Sequence, residues 1–511
     1  MNNKNQKELN KNLRLLVKSS FVLLIGLFLS KLLSYFYRII IARTFGPEIY
    51  GYYVIAIMIF IWFTMIFSFG FYEGLLRYLP WYIGKKQDNK LKYLFRITNI
   101  IVTISGIIAT IILFLTSDYI AINIFHSPNL SIYLKVFSFL IPLFLLNNIF
   151  LSTLLVYEKV NWYSFILNIL QNVIKVVSLI FLIFIGLKTN AIIISYSLGI
   201  IVMLIFSYFA CKYFTPKVFG KNNLEKKDKK GVLNEFFSYS WPLLFSLGIA
   251  EIFYWADTFL IGYFKSSSEV GFYNAAIPIA LLMMIVPELF LKLLLPLISK
   301  DFSKGNIEVV KQTSQQVGKW IFILNLPIFI IMYFFPGVII NILFGSEYLV
   351  AYKSLKILVF GSFIYSLVWI HISLLAMAGK SRLILVNLVL ASILNIILNI
   401  LLIPSYGING AALATTISRI ILSALLFIEV YYYLKIIPLR RSIIKVTLLT
   451  IIPTVILFYL RNIISINIIS LILLGIFFFL SYILIIIASK SLDENDLMII
   501  KSIKDKILKK K

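Results

Sequence analysis

The chain has 511 residues, 61% of them hydrophobic and 14% charged, with a mean hydropathy of +0.96. A soluble protein of this length is nearer half apolar and about a quarter charged, so the excess, which lies in long blocks, is solvated by lipid rather than buried in one core. The net charge of +27 sits in short segments between apolar blocks, not in a basic groove interleaved with aromatics, which argues against nucleic acid as a partner. One cysteine, Cys211, and two histidines, His126 and His371, exclude an internal disulfide and a Cys- or His-rich metal site.

In chain order, a basic stretch (Lys4, Lys7, Lys11, Arg14, Lys18) precedes an apolar run from about Ser20 to Ile41. That run exceeds the ~7–15-residue apolar region of a signal peptide and reads as an uncleaved first span. Windows long enough to cross, roughly 20 residues each, follow at 52–76, 97–117, 133–156, 162–187 and 191–211. After a Lys-rich connection around Pro216 to Glu235 come 238–263, 270–297, 318–338, 354–377, 383–404 and 409–434, then 444–460 and 464–489. With even-numbered connections and both termini in the cytosol, 36 of the 48 Lys and Arg face the cytosol, seven face outward and five lie inside spans. One span more or fewer would scramble this alternation, so it supports fourteen helices with both ends inside. The tail from Ser491 opens with a capping box, Ser491 with Glu494. Its Leu497, Ile500, Ile503 and Ile507 share a helical face opposite lysines, the pattern of an interfacial helix on anionic lipid.

The chain repeats itself. ARTFGPEIYGYY (Ala42 to Tyr53) and GYFKSSSEVGFYNAA (Gly262 to Ala276) both read Glu, glycine, paired aromatics, with Gly51 and Gly271 220 residues apart. Asn168 and Asn387 are 219 apart, and GLKTNAIIISYS (Gly186 to Ser197) resembles GINGAALATTIS (Gly407 to Ser418) at an offset of 221. Six spans is an even number, so the repeats share one orientation, with a substrate path expected between the halves as in alternating-access transporters. The expected fold is an all-α polytopic membrane protein of about fourteen transmembrane helices, two parallel six-helix bundles plus two extra C-terminal helices. The expected boundaries are a basic N-terminal segment 1–19, bundles 20–214 and 237–436 joined by a cytosolic linker 215–236, helices thirteen and fourteen in 437–490, and the tail 491–511.

An ionisable group inside a span is costly and is a functional candidate by default. Lys31 and Arg38 are seven apart on span one, hence on one face, with Lys175 in span five and Arg419 in span twelve. Together they suit a positive cavity for a phosphate or pyrophosphate, which Arg grips bidentately and Lys holds as a point charge. Pairing with local acids or carbonyls, or snorkelling, is the alternative reading of each. Lys292 follows Glu288 by one turn and forms a self-neutralising pair. Two acids, Glu251 and Asp257, lie in span seven, and the repeat offset of 220 maps Lys31 onto Glu251, which suggests a Lys31–Glu251 contact. Either acid could take Na⁺ or H⁺, with structural pairing the alternative; no other cofactor is expected. His371 reads as a packing residue, and Glu73 and Arg77 as positional. AGKS at Ala378 to Ser381 lacks the glycine a phosphate loop needs at 374, which is Leu.

Several stretches together resemble the Wzx-type polysaccharide flippases of the multidrug/oligosaccharidyl-lipid/polysaccharide exporter superfamily. They are FGPEIYGYY, FGFYEGLLRYLPWYIGKK (Phe69 to Lys86), ADTFLIGYFKSSSEVGFYNAA (Ala256 to Ala276), LLLPLISKDFSKGN (Leu293 to Asn306), INILFGSEYLVAYKSLKIL (Ile340 to Leu358) and LIPSYGINGAALATTIS (Leu402 to Ser418). The resemblance implies two six-helix bundles in a V shape, opening alternately to each side of the cell membrane. It implies a lipid-linked oligosaccharide on a polyprenyl or dolichyl (pyro)phosphate as cargo, with membrane lipids and glycan-assembly enzymes as partners, and no catalysis. Related lipid II flippases carry a basic residue at the position of Lys31, and a second basic position falls on Tyr37, with Arg38 beside it. Asp257 matches an acidic position of the seventh helix, where the basic residue that usually follows is Thr258. Competing readings are an ion-coupled multidrug antiporter, which would prefer an acidic aromatic cavity, a membrane glycan polymerase or ligase, which needs catalytic residues on sizeable outer loops, and a non-transporting scaffold.

Overall fold

The computed structural model describes residues 3–438, 442–463 and 468–488, without the side chains of 3–22, 24, 246, 247, 291–293, 442, 461, 462, 468, 471 and 488. The tail from Ser491 and the side chain of Lys292 fall outside the described residues. The described secondary structure is helical, as lipid demands: a chain crossing hydrocarbon must satisfy its own backbone polar groups. In chain order the helices are α1 (Asn3–Phe67), α2 (Phe71–Gly84), α3 (Asp88–Tyr119), α4 (Leu130–Val156), α5 (Val160–Ser164), α6 (Gln171–Phe184) and α7 (Asn190–Phe214). Then come α8 (Lys226–Phe264), α9 (Ser267–Ala280), α10 (Ile285–Ser303), α11 (Ile307–Phe334), α12 (Pro336–Phe344), α13 (Tyr352–Met377), α14 (Ser381–Leu434), α15 (Ser442–Ile463) and α16 (Ile468–Ala488).

Among the described residues, eleven helical stretches are long and apolar enough to cross a membrane. Two of them are double. The α1 stretch bends at Gly46, whose φ of 79° is open to glycine, and Pro47 restarts the helix where its missing N–H costs nothing. Gly407 (φ 55°) bends α14 in the same way. An unbroken second span over 52–76 is not what forms: the helix stops at Phe67, Phe69 and Gly70 adopt positive φ, and α2 starts anew at Phe71. Span five carries a π-helical turn, Phe165–Leu170, between α5 and α6. Such turns mark functional positions in helices.

The described residues group into two compact units, Met1–Asn274 with Asn395–Ala411, and Ala275–Leu394 with Ala412–Lys511. This grouping by contact differs from the sequence division at 214 and 237. In the first unit, small residues bring backbones together as lipid-embedded helices require. A Cβ on Gly106 of α3 would stand 2.7 Å from Pro142 Cα of α4. A Cβ on Gly26 would overlap Ser164 Oγ, and Asn172 Nδ2 donates to Ser30 Oγ at 3.0 Å, so α1 is pinned to span five up to the residue before Lys31. In the second unit α15 and α16 pack on α11 through Leu457, Leu474 and Phe478 against Phe322, Leu326 and Ile330, and Tyr482 Oη donates to the Ile323 carbonyl at 2.9 Å.

The repeat is visible as a reciprocal contact inside the first unit. A Cβ on Gly51 would overlap the carbonyl oxygen of Ser267, and a Cβ on Gly271 would overlap that of Pro47. The offset of 220 carries Pro47 onto Ser267 as it carries Gly51 onto Gly271. The α1 bend and the start of α9 therefore cross backbone to backbone as pseudo-equivalent partners, the self-complementary geometry of a two-fold contact.

Candidate functional site

In the first unit, Arg38 of α1 and Lys175 of α6 lie within electrostatic reach of one another. Lys175 is buried, its Nζ 5.3 Å from the ring centroid of Tyr196 and 5.9 Å from that of Tyr37. Room for its stem comes from Gly199 of α7, where a Cβ would stand 2.5 Å from Lys175 Cγ. Arg38 donates a hydrogen bond to Tyr50, with Tyr53 and Tyr254 in electrostatic reach. The rings interlock: Tyr37 and Tyr53 are 5.7 Å apart, Tyr53 and Tyr196 6.0 Å, and Tyr37 Oη bonds Ser195 Oγ at 2.8 Å.

None of the contacts described for Lys175 involves a carboxylate. Two desolvated cation–π contacts return about 2 kcal/mol each, whereas burying an unpaired ammonium costs several kcal/mol beside a second cation. An ammonium so placed either gives up its proton or is completed by an anion. Tyr37, where the family resemblance places a basic residue, is itself buried and bonded to α7; the positive charge beside it comes from Lys175 and Arg38.

Lys31 is exposed on α1. Among the described contacts Glu251 is not met by Lys31: its Oε2 accepts from the Trp255 indole at 3.2 Å, one turn along α8. Asp257 is buried and is met by neutral donors. Tyr273 Oη donates to Oδ2 at 2.5 Å, and Asn399 and Asn395 Nδ2 donate to Oδ1 at 2.7 and 3.2 Å. Asn395 Oδ1 accepts from Asn399 at 3.1 Å, and Asn399 Oδ1 is buried with no protein partner. Both carboxylate oxygens are thus occupied by phenol and amide donors, and no group of three His, Cys, Asp or Glu that could hold a metal occurs among the described residues.

The two clusters share one repeat-related pair. The offset of 220 takes Tyr37 and Tyr53 to Asp257 and Tyr273. The Tyr37–Tyr53 contact recurs as the Tyr273–Asp257 hydrogen bond, with a carboxylate where the first half has a phenol.

In the second unit Arg419 Nη1 donates to Ser362 Oγ at 2.8 Å, with Tyr365 in electrostatic reach and Nε buried without a partner. Arg419 is thus described apart from Lys31, Arg38 and Lys175. His371 is fully buried, its Nδ1 3.0 Å from the Val368 carbonyl and its ring 5.5 Å from Phe427, which fits packing. The sequence reading passed over Glu429, which accepts from Asn387 at 2.7 Å, and the buried Lys319. It also passed over Asn395, Asn399 and the tyrosines around Lys175. The repeat offset was the signal that reaches Tyr273.

The sequence profile of the polysaccharide biosynthesis protein family matches residues 16–302, more than half of the chain, and that of the MatE family matches 242–401. Three relatives are similar in sequence. An uncharacterized membrane protein of Methanocaldococcus jannaschii is 25% identical over 78% of this chain and 80% of its own length. A Shigella flexneri protein named an O-antigen transporter is 25% identical over 76% of this chain and 91% of its own. A Haloferax volcanii protein named a low-salt glycan biosynthesis flippase is 28% identical over 49% and 51%. In fold, the chain is similar to the lipid II flippase MurJ in an inward closed conformation, with a TM-score of 0.71 at 21% identity over 91% of this chain and 98% of that one.

Proposed function

The chain belongs to the polysaccharide biosynthesis protein family, and from this premise we propose that it is a flippase that moves a lipid-linked oligosaccharide across the cell membrane by alternating access. The carrier is a polyprenyl or dolichyl (pyro)phosphate. The relatives named for O-antigen transport and glycan flipping support the cargo class. The observation that carries the reading at the level of chemistry is the Arg38–Lys175 pair, two cations in a tyrosine-lined interior of a membrane-embedded unit. An antiporter for cationic drugs would place an acid there.

Arg38 and Lys175 hold the phosphate and Lys31 on the same face of α1 attracts it; Arg419, in the second unit, is a separate candidate contact for the cargo. Asp257, with Asn395 and Asn399, takes Na⁺ or H⁺ to couple the cycle, and the unpartnered Asn399 Oδ1 supports that assignment. The chain works as a transporter without a catalytic step, beside enzymes that build and consume the glycan. Fourteen spans, as two six-helix repeats and two further helices, remain our reading of the architecture: the bent α1 and α14 each count twice, and the shorter apolar segment Ile472–Ile487 is the last. Both termini are assigned to the cytosol on charge bias.

The test is flipping in sealed proteoliposomes, with accessibility of a pyrophosphate-linked oligosaccharide head group followed over time and Lys31→Ala beside wild type. Protein-dependent translocation that falls in the variant is expected. Absence of translocation with several lipid-linked glycans, together with cationic-dye efflux under an ion gradient, would replace the reading with an antiporter.

A further inference from the structure

The cationic cluster and the Asp257 cluster are linked through one tyrosine by hydrogen bonds and directly bonded chain neighbours. Arg38 donates to Tyr50, and Tyr50 Oη donates onward to the backbone carbonyl of Asn274 at 3.1 Å. Asn274 Nδ2 in turn donates to Thr258 Oγ1 at 3.1 Å. Thr258 is the neighbour of Asp257, and Tyr273, the neighbour of Asn274, donates to Asp257. Every member of this link except Arg38 is buried. Tyr50 has this reach because of where it sits: it precedes Gly51, whose backbone lies on Ser267, and Asn274 lies three residues past Gly271, whose backbone lies on Pro47. The crossing of the α1 bend with α9 therefore delivers one hydroxyl to both repeats.

We propose that Tyr50 is a positioning residue that couples the anion-holding pair Arg38 and Lys175 to the cation-holding cluster around Asp257. The proposal rests on the flippase reading given above. Its physical content is a shared hydroxyl, which accepts from Arg38 and donates to the Asn274 carbonyl. An anion that draws the Arg38 guanidinium toward itself weakens its bond to Tyr50, and the Tyr50 hydroxyl is what holds the Asn274 carbonyl at the start of the path to Asp257. A cation that draws Asp257 away from Tyr273 loosens the same path from the other end. Coupling of this kind is reciprocal: whatever the cation does to anion affinity, the anion does to cation affinity. Tyr50 need touch neither ligand. Its ring packs on Tyr53 at 6.3 Å, so Tyr50→Phe keeps the packing and removes only the hydroxyl.

The experiment is binding of a polyprenyl pyrophosphate bearing one sugar to the purified full chain. Head-group affinity is titrated against sodium chloride with choline chloride holding ionic strength constant, and separately against pH, for wild type, Tyr50→Phe and Asp257→Asn. Wild type should show an ion-dependent change in head-group affinity of about 5- to 150-fold, the usual range for coupled sites. Asp257→Asn should abolish that ratio by removing the cation site. Tyr50→Phe should abolish it too while both the head group and the ion still bind. Tyr50→Phe with the wild-type ratio would overturn the proposal, and so would a wild type whose affinity responds to neither sodium nor pH. No head-group binding by wild type under any condition would instead remove the flippase reading, and a misfolded variant would reveal itself by losing ion binding and head-group binding together.

Discussion

Lys175 is held with its ammonium 5.3 Å from the Tyr196 ring and its stem laid over Gly199, in a slot that leaves no room for a Cβ. The lysine is placed by aromatic faces and by an absent side chain rather than by a carboxylate, which leaves its charge available to a bound anion. Lys175→Met keeps the length and apolar stem and deletes the charge. It should lower head-group affinity by roughly tenfold or more, the equivalent of about 1.4 kcal/mol, without loss of folded protein. Transport kinetics at wild-type level in Lys175→Met would remove it from the site. Tyr196→Phe should be near-neutral because the ring face survives, whereas Tyr196→Leu should reproduce part of the Lys175→Met loss.

Arg38 is the more demanding partner, because a planar guanidinium can bond Tyr50 and still present a second edge to a phosphate. Arg38→Lys retains the charge but gives up the fork, so it should not be conservative. A charge-assisted hydrogen bond is worth about 1.5–3 kcal/mol, so head-group affinity should fall by roughly 10- to 150-fold in both Arg38→Lys and Arg38→Gln. Equal affinities for Arg38→Lys and wild type would show that only charge matters there.

How far this was legible in the sequence follows from the cost of the groups involved. Membrane class and the long apolar segments can be read because lipid leaves hydropathy little freedom. Arg38, Lys175, Asp257 and Arg419 stand out because a charge in hydrocarbon is expensive enough to be noticed. Asn395 and Asn399 carry no charge and sit in an apolar run, so nothing marked them until their amides were seen on Asp257. Tyr50 is one of 30 tyrosines, and only the crossing at Gly51 and Gly271 distinguishes it. The break at Phe69 was hidden for a different reason: positive φ at a bulky residue is imposed by surroundings, not encoded in its own propensity.

The glycine crossing can be tested through its symmetry. Gly51→Ala and Gly271→Ala each push a methyl group into a carbonyl oxygen of the backbone, which cannot move aside as a flexible side chain can. Overpacking of this kind costs about 1–3 kcal/mol, and because the contacts are repeat equivalents, the two variants should lose thermal stability and transport to similar extents. Gly231→Ala is the control: it is an exposed helical glycine with nothing within 4 Å of the added Cβ. It should be neutral or slightly stabilising, since Ala outranks Gly in a helix by about 1 kcal/mol. Unaffected thermal midpoints in both Gly51→Ala and Gly271→Ala would mean that the backbones do not meet as described.

Arg419 offers a separate check on whether charge in the second unit serves cargo or packing. Its Nη1 donates to Ser362 and its Nε is buried without a partner, so the guanidinium is only partly satisfied by the protein. If the group only braces α13 against α14, Ser362→Ala and Arg419→Met should destabilise the protein comparably and leave head-group affinity alone. If it receives a phosphate, Arg419→Met should weaken head-group binding by an order of magnitude or more, about 1.4 kcal/mol per tenfold. Ser362→Ala, which frees one more N–H for the anion, should then bind as well as wild type. We expect the second pattern, because a buried donor left unmatched costs about 1–3 kcal/mol and an anion is the ligand that would recover it. Thermal midpoints and head-group affinities measured on the same two preparations decide between them.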